Sequence, residues 1–359
     1  MSQWKKTKLG EVIFIKKGDY ITKKTAKPGK YPVILGGQEP AYYINKYNHT
    51  GKAIVVSRSG ASAGFVSKWD QPIFITDGFL IEPSNKITFD FLYYSMKYRQ
   101  AFLHHIQRGA AIPHVTPSLI SDIEINLPDL DDQYKITDTL YSYDSLIENY
   151  QQQIKLLEEA AQRLYKEWFV DLHFPGYENT KIVNGVPEGW EKETLGNIVP
   201  ILTGKKDANF ADVKGKYPFF TCAQDILNAP SYSFDGSAVL LAGNGDFNIK
   251  LYRGKFEAYQ RTYVLIPKEL KYLFLIYNAI ATNLDRLSSR AAGSTIKFLT
   301  KGMISSIPIL IPSALVLKEY NSLSEEIQNK IELLRLQLRL LTEARDRLLP
   351  KLMSGEIEV

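Results

Sequence analysis

The apolar residues between positions 136 and 168 recur at alternating spacings of four and three. This seam consists of Ile136, Leu140, Tyr143, Ile147, Tyr150, Ile154, Leu157, Ala161, Leu164 and Trp168. Such spacing is typical of a coiled coil. No Gly or Pro interrupts residues 129–174, and Pro175-Gly176 follows. The pattern therefore predicts a helix that stops at Pro175 and is about 60 Å long.

A second seam has the same character. It consists of Ile327, Ile331, Leu334, Leu338, Leu341 and Leu348, and we expect its helix to end at Pro350. The two seams should face each other in an antiparallel pair, which brings residues 353–359 close to the N-terminus. This predicts a pseudo-twofold, nearly circular molecule. The alternative is that the seams form a coiled coil between two chains.

The rest of the chain contains an internal sequence repeat, whose two copies lie about 184 residues apart. Residues 109–128 return as residues 293–312 with eight identities in twenty ungapped positions, and Leu9-Gly10 returns as Leu195-Gly196. The period is far longer than the 20 to 50 residues of a solenoid repeat, so the repeating unit is a domain with its connector. We name the two copies lobe one, residues 1–128, and lobe two, residues 190–312.

Each lobe mixes strand and helix patterns. Residues 53–57 and 238–242 are apolar segments typical of buried strands, and polar loops containing glycine follow at 58–64 and 243–248. Residues 89–100 and 272–282 are expected to be helical. The predicted fold class is α+β: two similar globular lobes, a helical spacer at 129–173, a linker at 174–189 and a second helical spacer at 313–359.

Charge is divided along this repeat. The net charge of the whole chain is +5. Lobe one has 17 Lys and Arg against 9 Asp and Glu, and lobe two has 15 against 10, so both lobes are basic, while the connectors are acidic. Basic lobes favour binding to a polyanion, although surface lysines that serve only solubility are the alternative. The single cysteine fits a reducing cytosol, and no apolar run is long enough for a membrane span. We expect a cytoplasmic protein without a membrane partner.

Two phrases resemble a known family. Glu159-Ala-Ala-Gln-Arg-Leu-Tyr-Lys-Glu-Trp-Phe-Val-Asp-Leu-His-Phe-Pro-Gly176 and Leu341-Thr-Glu-Ala-Arg-Asp-Arg-Leu-Leu-Pro-Lys-Leu-Met-Ser-Gly-Glu-Ile357 end the two helices. Together with the two-lobe plan and Ala258-Tyr-Gln-Arg-Thr-Tyr-Val264, they resemble the specificity subunit of type I restriction-modification systems. The resemblance covers essentially the entire chain.

The resemblance implies a non-catalytic reader of double-stranded DNA whose lobes recognise an asymmetric two-part site. It implies two modification subunits as partners, which bind S-adenosylmethionine and methylate adenine N6. A restriction subunit that uses ATP and Mg would join them in some complexes. A related system, in which a fused methylase-nuclease cuts beside the site, would have a similar specificity chain. A coiled-coil scaffold with protein-binding lobes is the alternative from another class.

The sequence lacks the signatures of chemistry in the chain itself. It contains neither the Asn/Asp-Pro-Pro-aromatic motif that an adenine methyltransferase needs nor a Gly-Lys-Ser/Thr phosphate loop. The five histidines show no metal-ligand spacing with the cysteine. We therefore expect no catalytic residue, no metal and no cofactor in this chain.

Candidate DNA contacts are polar residues in the loops, because discrimination requires side chains that reach base edges. The candidates for base contact are Arg58, Ser59, Ser62, Gln107, Arg108 and His114 in lobe one and Asn244, Asp246, Asn248, Gln260, Arg261, Arg290, Ser294, Thr295 and Lys297 in lobe two. The candidates for phosphate contact are Lys16, Lys17, Lys23, Lys24, Lys205 and Lys206. The alternatives are that Gly60, Gly64, Gly243 and Gly245 only form tight turns, and that Gln260 and Arg261 are interior residues.

Overall fold

The computed structural model describes residues 4–35, 37, 39–105, 114–293 and 297–357. The chain divides into two compact units: unit 1 comprises residues 1–150 and 337–359, and unit 2 comprises residues 151–336. Each unit contains one lobe and parts of two long helices. The fold is mixed α and β with two repeated lobes, as the sequence predicts.

The elements of lobe one precede the first long helix. Its strands are β1 Lys5–Lys8, β2 Ile13–Lys17, β3 Pro28–Ile34, β4 Tyr42–Ile44, β5 Lys52–Ser57, β6 Val66–Asp70, β7 Phe74–Ile75, β8 Gly78–Pro83 and β9 Glu124–Leu127. The helices are α1 Phe89–Tyr98, α2 Gln100–His105, α3 Pro117–Ser121 and the long α4 Leu130–Phe169.

The elements of unit 2 follow in similar order. The strands are β10 Ile182–Val183, β11 Val186–Pro187, β12 Glu191–Thr194, β13 Ile201–Thr203, β14 Tyr217–Phe220, β15 Leu227–Ala229, β16 Phe234–Ala242, β17 Ile249–Ala258, β18 Thr262–Leu265 and β19 Pro308–Ile311. The helices are α5 Leu195–Ile198, α6 Leu273–Thr282, α7 Leu284–Arg290, α8 Lys301–Ser305 and the long α9 Ala314–Ser354.

The sheets of the two lobes share an antiparallel core and differ at one side. Lobe one has a four-stranded sheet of order β2-β8-β5-β6 and a separate three-stranded sheet of order β4-β3-β7. Lobe two joins the corresponding strands into one six-stranded sheet of order β13-β18-β16-β17-β14-β15, in which β14 pairs parallel to β17. The strands predicted at 53–57 and 238–242 are the central β5 and β16, each with five buried residues at its carboxyl end.

The repeated sequence phrases mark a backbone contact that both lobes make. The amide of Leu9 donates to the carbonyl of Ile123 at 2.9 Å, and in lobe two Leu195 donates to Ile307 at 2.9 Å. The next residue is glycine in each copy because a serine of the repeated motif lies against it. A Cβ at Gly10 would lie 2.8 Å from the Ser121 Cβ, and one at Gly196 would lie 1.9 Å from the Ser305 Oγ.

The long helix α4 confirms the first seam. Every seam position is buried or half-buried, and the core of unit 1 includes Ile136 and Leu140. The predicted stop at Pro175 is wrong, since the helix ends at Phe169. There the amides of residues 170 and 171 both bond to the carbonyl of Lys166, and Leu172 adopts a positive φ of 61°. Burial of Phe174 against Trp190, with ring centroids 4.5 Å apart, accompanies this early end.

Helix α9 confirms the second seam but not its end. Pro350 lies inside the helix, which continues to Ser354. Proline removes one backbone hydrogen bond and usually ends a helix. Here the next turn carries Leu352 and Met353, which are buried in the core of unit 1. We infer that this burial offsets the cost of the proline.

The two long helices run antiparallel within each unit. In unit 1 Asp144 accepts from Arg345 at 2.8 Å, while Ile136, eight residues earlier, shares a core with Leu352. In unit 2 Glu158 accepts from Arg335 at 2.7 Å. Trp168, which follows Glu158 on α4, lies against Tyr320, which precedes Arg335 on α9, with ring centroids 5.9 Å apart. Within the part of the chain that the structure describes, these seam positions are therefore covered by residues of the same chain. Pairing between chains stays an alternative.

The C-terminal segment lies close to the N-terminal one, as expected. The side-chain amide of Asn126 donates to the carbonyl of Ser354 at 3.4 Å, and a Cβ at Gly355 would lie 3.4 Å from the Trp4 ring. These contacts all belong to unit 1. The circular outline of the whole chain stays a prediction.

Gln133 fixes helix α4 to lobe one. Its side chain is fully buried, accepts from the amide of Thr88 at 2.7 Å and donates to the carbonyls of Lys86 at 3.1 Å and Pro128 at 3.0 Å. A single side chain thus bonds to three main-chain groups, at a contact that is buried at Pro128 and half-buried at Thr88.

We expect Gln133→Ala to lower the free energy of unfolding of unit 1 by about 3 kcal/mol or more, because it leaves these buried groups unpaired. The matched control is Ser145→Ala on the exposed face of the same helix, for which a change within about 0.5 kcal/mol is expected. Urea unfolding of the full chain measures both. Equal effects of the two substitutions would show that Gln133 does not hold the helix to the lobe.

Candidate nucleic-acid interface

Three backbone segments meet in lobe one where the strand β5 ends. The amide of Arg58 donates to the carbonyl of Asp77 at 3.1 Å, and the amide of Val115 donates to the carbonyl of Arg58 at 2.8 Å. Ser59 and His114 form an isolated antiparallel bridge beside them. We call this arrangement the loop junction of lobe one.

Lobe two repeats the loop junction at the end of β16. The amide of Gly243 donates to the carbonyl of Arg261 at 2.9 Å, and the amide of Leu299 donates to the carbonyl of Gly243 at 2.8 Å. Asn244 and Phe298 form the isolated bridge. The two junctions have the same backbone bonds but present different side chains, since glycine replaces Arg58 and arginine replaces Asp77.

The junction of lobe one gathers several predicted contacts. The Nε of Arg58 donates to the Oδ1 of Asp77 at 2.6 Å, and the hydroxyl of Ser59 donates to the other carboxylate oxygen. Arg58, His114 and Lys17 line one depression of 610 Å³. Asp77 was missed by the sequence reasoning, although the repeat aligns it with Arg261.

The other candidates in lobe one are placed differently. Lys16 is paired with Glu82 at 2.8 Å, while Lys23 and Lys24 are exposed in a turn. Ser62 is half-buried, and its carbonyl accepts from the amide of Phe65 at 2.9 Å. Gln107 and Arg108 lie outside the described residues.

The loop after β16 is braced by Asn248. Its side chain is 8% exposed and donates to the carbonyls of Cys222 at 2.8 Å and Asp246 at 2.9 Å. It also accepts from the ammonium group of Lys250, which donates in addition to the carbonyl of Ala223 at 2.8 Å. Burial lowers the pKa of Lys250. Asn248 thus holds the loop in shape, and Lys250 is a further cation that sequence reasoning missed.

Two polar side chains are linked at the surface of this loop. Gln224 and Asp246 are both exposed, and the amide of Gln224 donates to Asp246 at 2.7 Å. Asn244, two residues before Asp246, is half-buried. Gln224 was not among the predicted contacts, because it lies in a separate segment after β14.

Gln260 and Arg261 are exposed, so the alternative that they are interior residues is wrong. They follow Tyr259 in a turn whose amide of Gln260 donates to the carbonyl of Lys206 at 2.8 Å. The segment that contains them is instead fixed by Thr262 and Val264, which are buried in the sheet.

The glycines of the loops have defined roles in the backbone. Gly60, Gly64 and Gly245 have φ values of 82°, 82° and 70°, in the left-handed region that favours glycine. Gly243 allows close approach within the protein, because a Cβ there would lie 2.3 Å from the carbonyl oxygen of Arg261.

The remaining basic candidates of lobe two are at its surface. Lys205 and Lys206 lie over the rings of Phe234 and Phe210, at 5.4 and 4.5 Å from the centroids. Arg290 and Lys297 are both exposed. They precede Ala292 and Phe298, which form an isolated bridge. Ser294 and Thr295 lie outside the described residues.

Comparison with known proteins places the chain in a family. The model of the type I restriction modification DNA specificity domain matches residues 1–159 and 187–333. The chain therefore belongs to the family of type I restriction-modification DNA specificity proteins.

Individual relatives carry the same designation. The specificity subunit of the type I restriction enzyme EcoDI from Escherichia coli is 40% identical over 176 residues, which cover 48% of this chain and 39% of that one. The MjaIX specificity subunit from Methanocaldococcus jannaschii is 27% identical over 344 residues, covering 86% of this chain and 78% of that protein. The chain thus spans less than half of the Escherichia coli relative and most of the archaeal one.

The fold has a solved counterpart. The crystal structure of the type I restriction-modification S subunit from M. genitalium has a TM-score of 0.66 and 20% identity, covering 98% of this chain and 96% of that one. Within the part of the chain that the structure describes, no helix is long and apolar enough to cross a membrane.

Neighbouring lysines on β2 allow a test of the charge contacts. We expect Lys17→Ala to weaken binding to any duplex and to reduce the slope of log affinity against log salt concentration by about 1, because it removes one phosphate contact. Lys16→Ala is the matched control, since Lys16 is already paired with Glu82 and should change the slope less. Binding is measured by fluorescence anisotropy across a salt series. Equal slopes for the two variants and the unaltered chain would contradict a phosphate contact at Lys17.

Proposed function

We propose that the chain is the non-catalytic specificity subunit of a type I restriction-modification complex and reads an asymmetric two-part DNA site. The observation that carries the proposal is the pair of loop junctions, whose backbone bonds are repeated while their side chains differ. Two loop junctions with equivalent backbone bonds and different side chains are suited to two half-sites of different sequence. The basic balance of both lobes supports DNA as the target.

In this proposal each lobe binds one half-site and the long helices set the spacing. Exposed lysines supply affinity through the phosphates, and polar groups at the loop junctions supply discrimination at base edges. Helices of 40 and 41 residues are each about 60 Å long. This exceeds the roughly 34 Å of one DNA turn, so the helices are long enough to act as a ruler for half-sites one turn apart.

The partners in this proposal are two modification subunits that carry S-adenosylmethionine and methylate adenine N6, and restriction subunits that use ATP and Mg. The complex would act in the cytoplasm. Exposed apolar side chains on the long helices support docking of such partners. Those of α4 include Leu146 and Leu156, at 45% and 61% exposure, and those of α9 include Leu333 and Leu340, at 48% and 51%.

A protein-binding scaffold is the competing function, and the same exposed leucines would serve it. Its lobes would need no basic excess and no variable polar junction. Salt dependence separates the two functions, because DNA binding weakens steeply as salt rises.

We expect N6-methyladenine to appear at an asymmetric two-part motif only in cells that contain both this chain and its cognate modification subunit. The measurement is a genome-wide methyladenine map with and without the chain, because base contacts in the lobes select which adenines are modified. The control is a lobe-two variant, Arg261→Ala, which should alter only one half of the motif. Identical maps in the presence and absence of the chain, with the two proteins shown to associate, would favour the scaffold.

A further inference from the structure

The guanidinium group of Arg58 is oriented by a neighbouring carboxylate. Its Nε donates to the Oδ1 of Asp77 at 2.6 Å, while the hydroxyl of Ser59 donates to the Oδ2 of the same carboxylate. Asp77 is therefore held at both oxygens. The side chains of Arg58 and Asp77 are 38% and 18% exposed, so the anchoring carboxylate is the more buried of the two. The arrangement fixes the arginine from its inner edge.

The two Nη groups of Arg58 lie at the outer edge of its guanidinium group and keep their hydrogen-bond donors. A guanidinium carries five N–H groups, of which the Nε group alone is used by Asp77. Among the residues that the structure describes, the two Nη groups of Arg58 make no hydrogen bond. Lys17 and His114 line the same depression as Arg58. An oriented pair of donors thus lies in a depression that Lys17 also lines.

The corresponding position of lobe two cannot hold this element. Gly243 stands where lobe one has Arg58, and Arg261 stands where it has Asp77. A side chain at Gly243 would collide with the backbone, as its Cβ would lie 2.3 Å from the carbonyl oxygen of Arg261. The carboxylate-oriented arginine therefore belongs to lobe one alone, although both lobes have the same junction.

We propose that Arg58, oriented by Asp77, reads one guanine in the half-site bound by lobe one. The inference rests on the proposed function and names one base that the site must contain. Guanine presents two adjacent acceptors, O6 and N7, in the major groove, and the paired Nη groups of an arginine match both. Adenine presents N7 beside an amino donor and cannot accept two such bonds. Asp77 acts as a positioning residue and does not touch the base.

A phosphate contact is the competing role for Arg58. Phosphate binding tolerates many orientations and is shared by exposed lysines such as Lys23 and Lys24. Orientation by a half-buried carboxylate favours a contact that depends on direction. The two roles differ in an observable way, since loss of a phosphate contact weakens all sequences equally, whereas loss of a base contact changes the preference at one position.

The experiment uses this chain in complex with its cognate modification subunits. Methyladenine maps are recorded for the unaltered chain, Arg58→Ala, Asp77→Asn and the lobe-two control Arg261→Ala. Binding is then measured to duplexes in which the guanine is replaced by each other base pair. We expect Arg58→Ala to reduce discrimination for guanine at one position by about tenfold or more. Asp77→Asn should relax the same position less, without the fall in salt slope that loss of a phosphate contact causes.

The outcomes separate this inference from the proposed function. Relaxation of one guanine by both lobe-one variants, with the other half of the motif unchanged, supports the inference and shows that the variants fold. A two-part motif that keeps its guanine preference in Arg58→Ala, or an equal loss of affinity for every sequence, overturns the inference alone. The half of the motif that Arg261→Ala leaves unchanged is the half assigned to lobe one. If that half contains no guanine, the inference is likewise overturned. Absence of any two-part motif with the unaltered chain overturns the proposed function itself.

Discussion

The hydrogen bonds of the loop junction are the constraint on which the proposed recognition depends. In each lobe one residue after the central strand donates to a second segment and accepts from a third. These bonds involve only the main chain, so they tolerate arginine and glycine at the same position. The side chains at the junction therefore differ between the lobes while the backbone bonds are kept, although the position of Gly243 in lobe two has no room for a side chain. The proposed reading of two different half-sites requires this separation between a constant backbone arrangement and variable side chains.

The long helices impose a second constraint, which concerns stability more than recognition. Their narrow apolar seams are covered by each other and by the lobe cores, and charged pairs such as Asp144 with Arg345 flank them. The equivalent positions in unit 2 are Gln328 and Ala161, which line a cavity of 460 Å³. The repeat thus preserves the helical seam but not the polar contacts beside it.

The sequence predicted the features that depend on periodicity and missed those that depend on long-range contacts. The two seams and the central strands follow from the spacing of apolar residues, and the two lobes follow from the repeated sequence, so they were predicted. The end of α4 at Phe169 and the passage of α9 through Pro350 depend on burial of Phe174 and Leu352 in cores that spacing does not reveal. Arg58 was predicted as a contact by its loop position. Its partner Asp77 could be found only once the fold brought separate strands together.

The division of the helices between the units bears on the order in which the protein is synthesised. Unit 1 needs residues from both 1–150 and 337–359, whereas unit 2 is one continuous stretch, 151–336. Leu352 and Met353 belong to the core of unit 1. Lobe one, which is translated before lobe two, must therefore wait for residues that follow lobe two in the chain before its core is complete. Unit 2 has its complete sequence earlier, and unit 1 completes its core only when translation has passed the second helix.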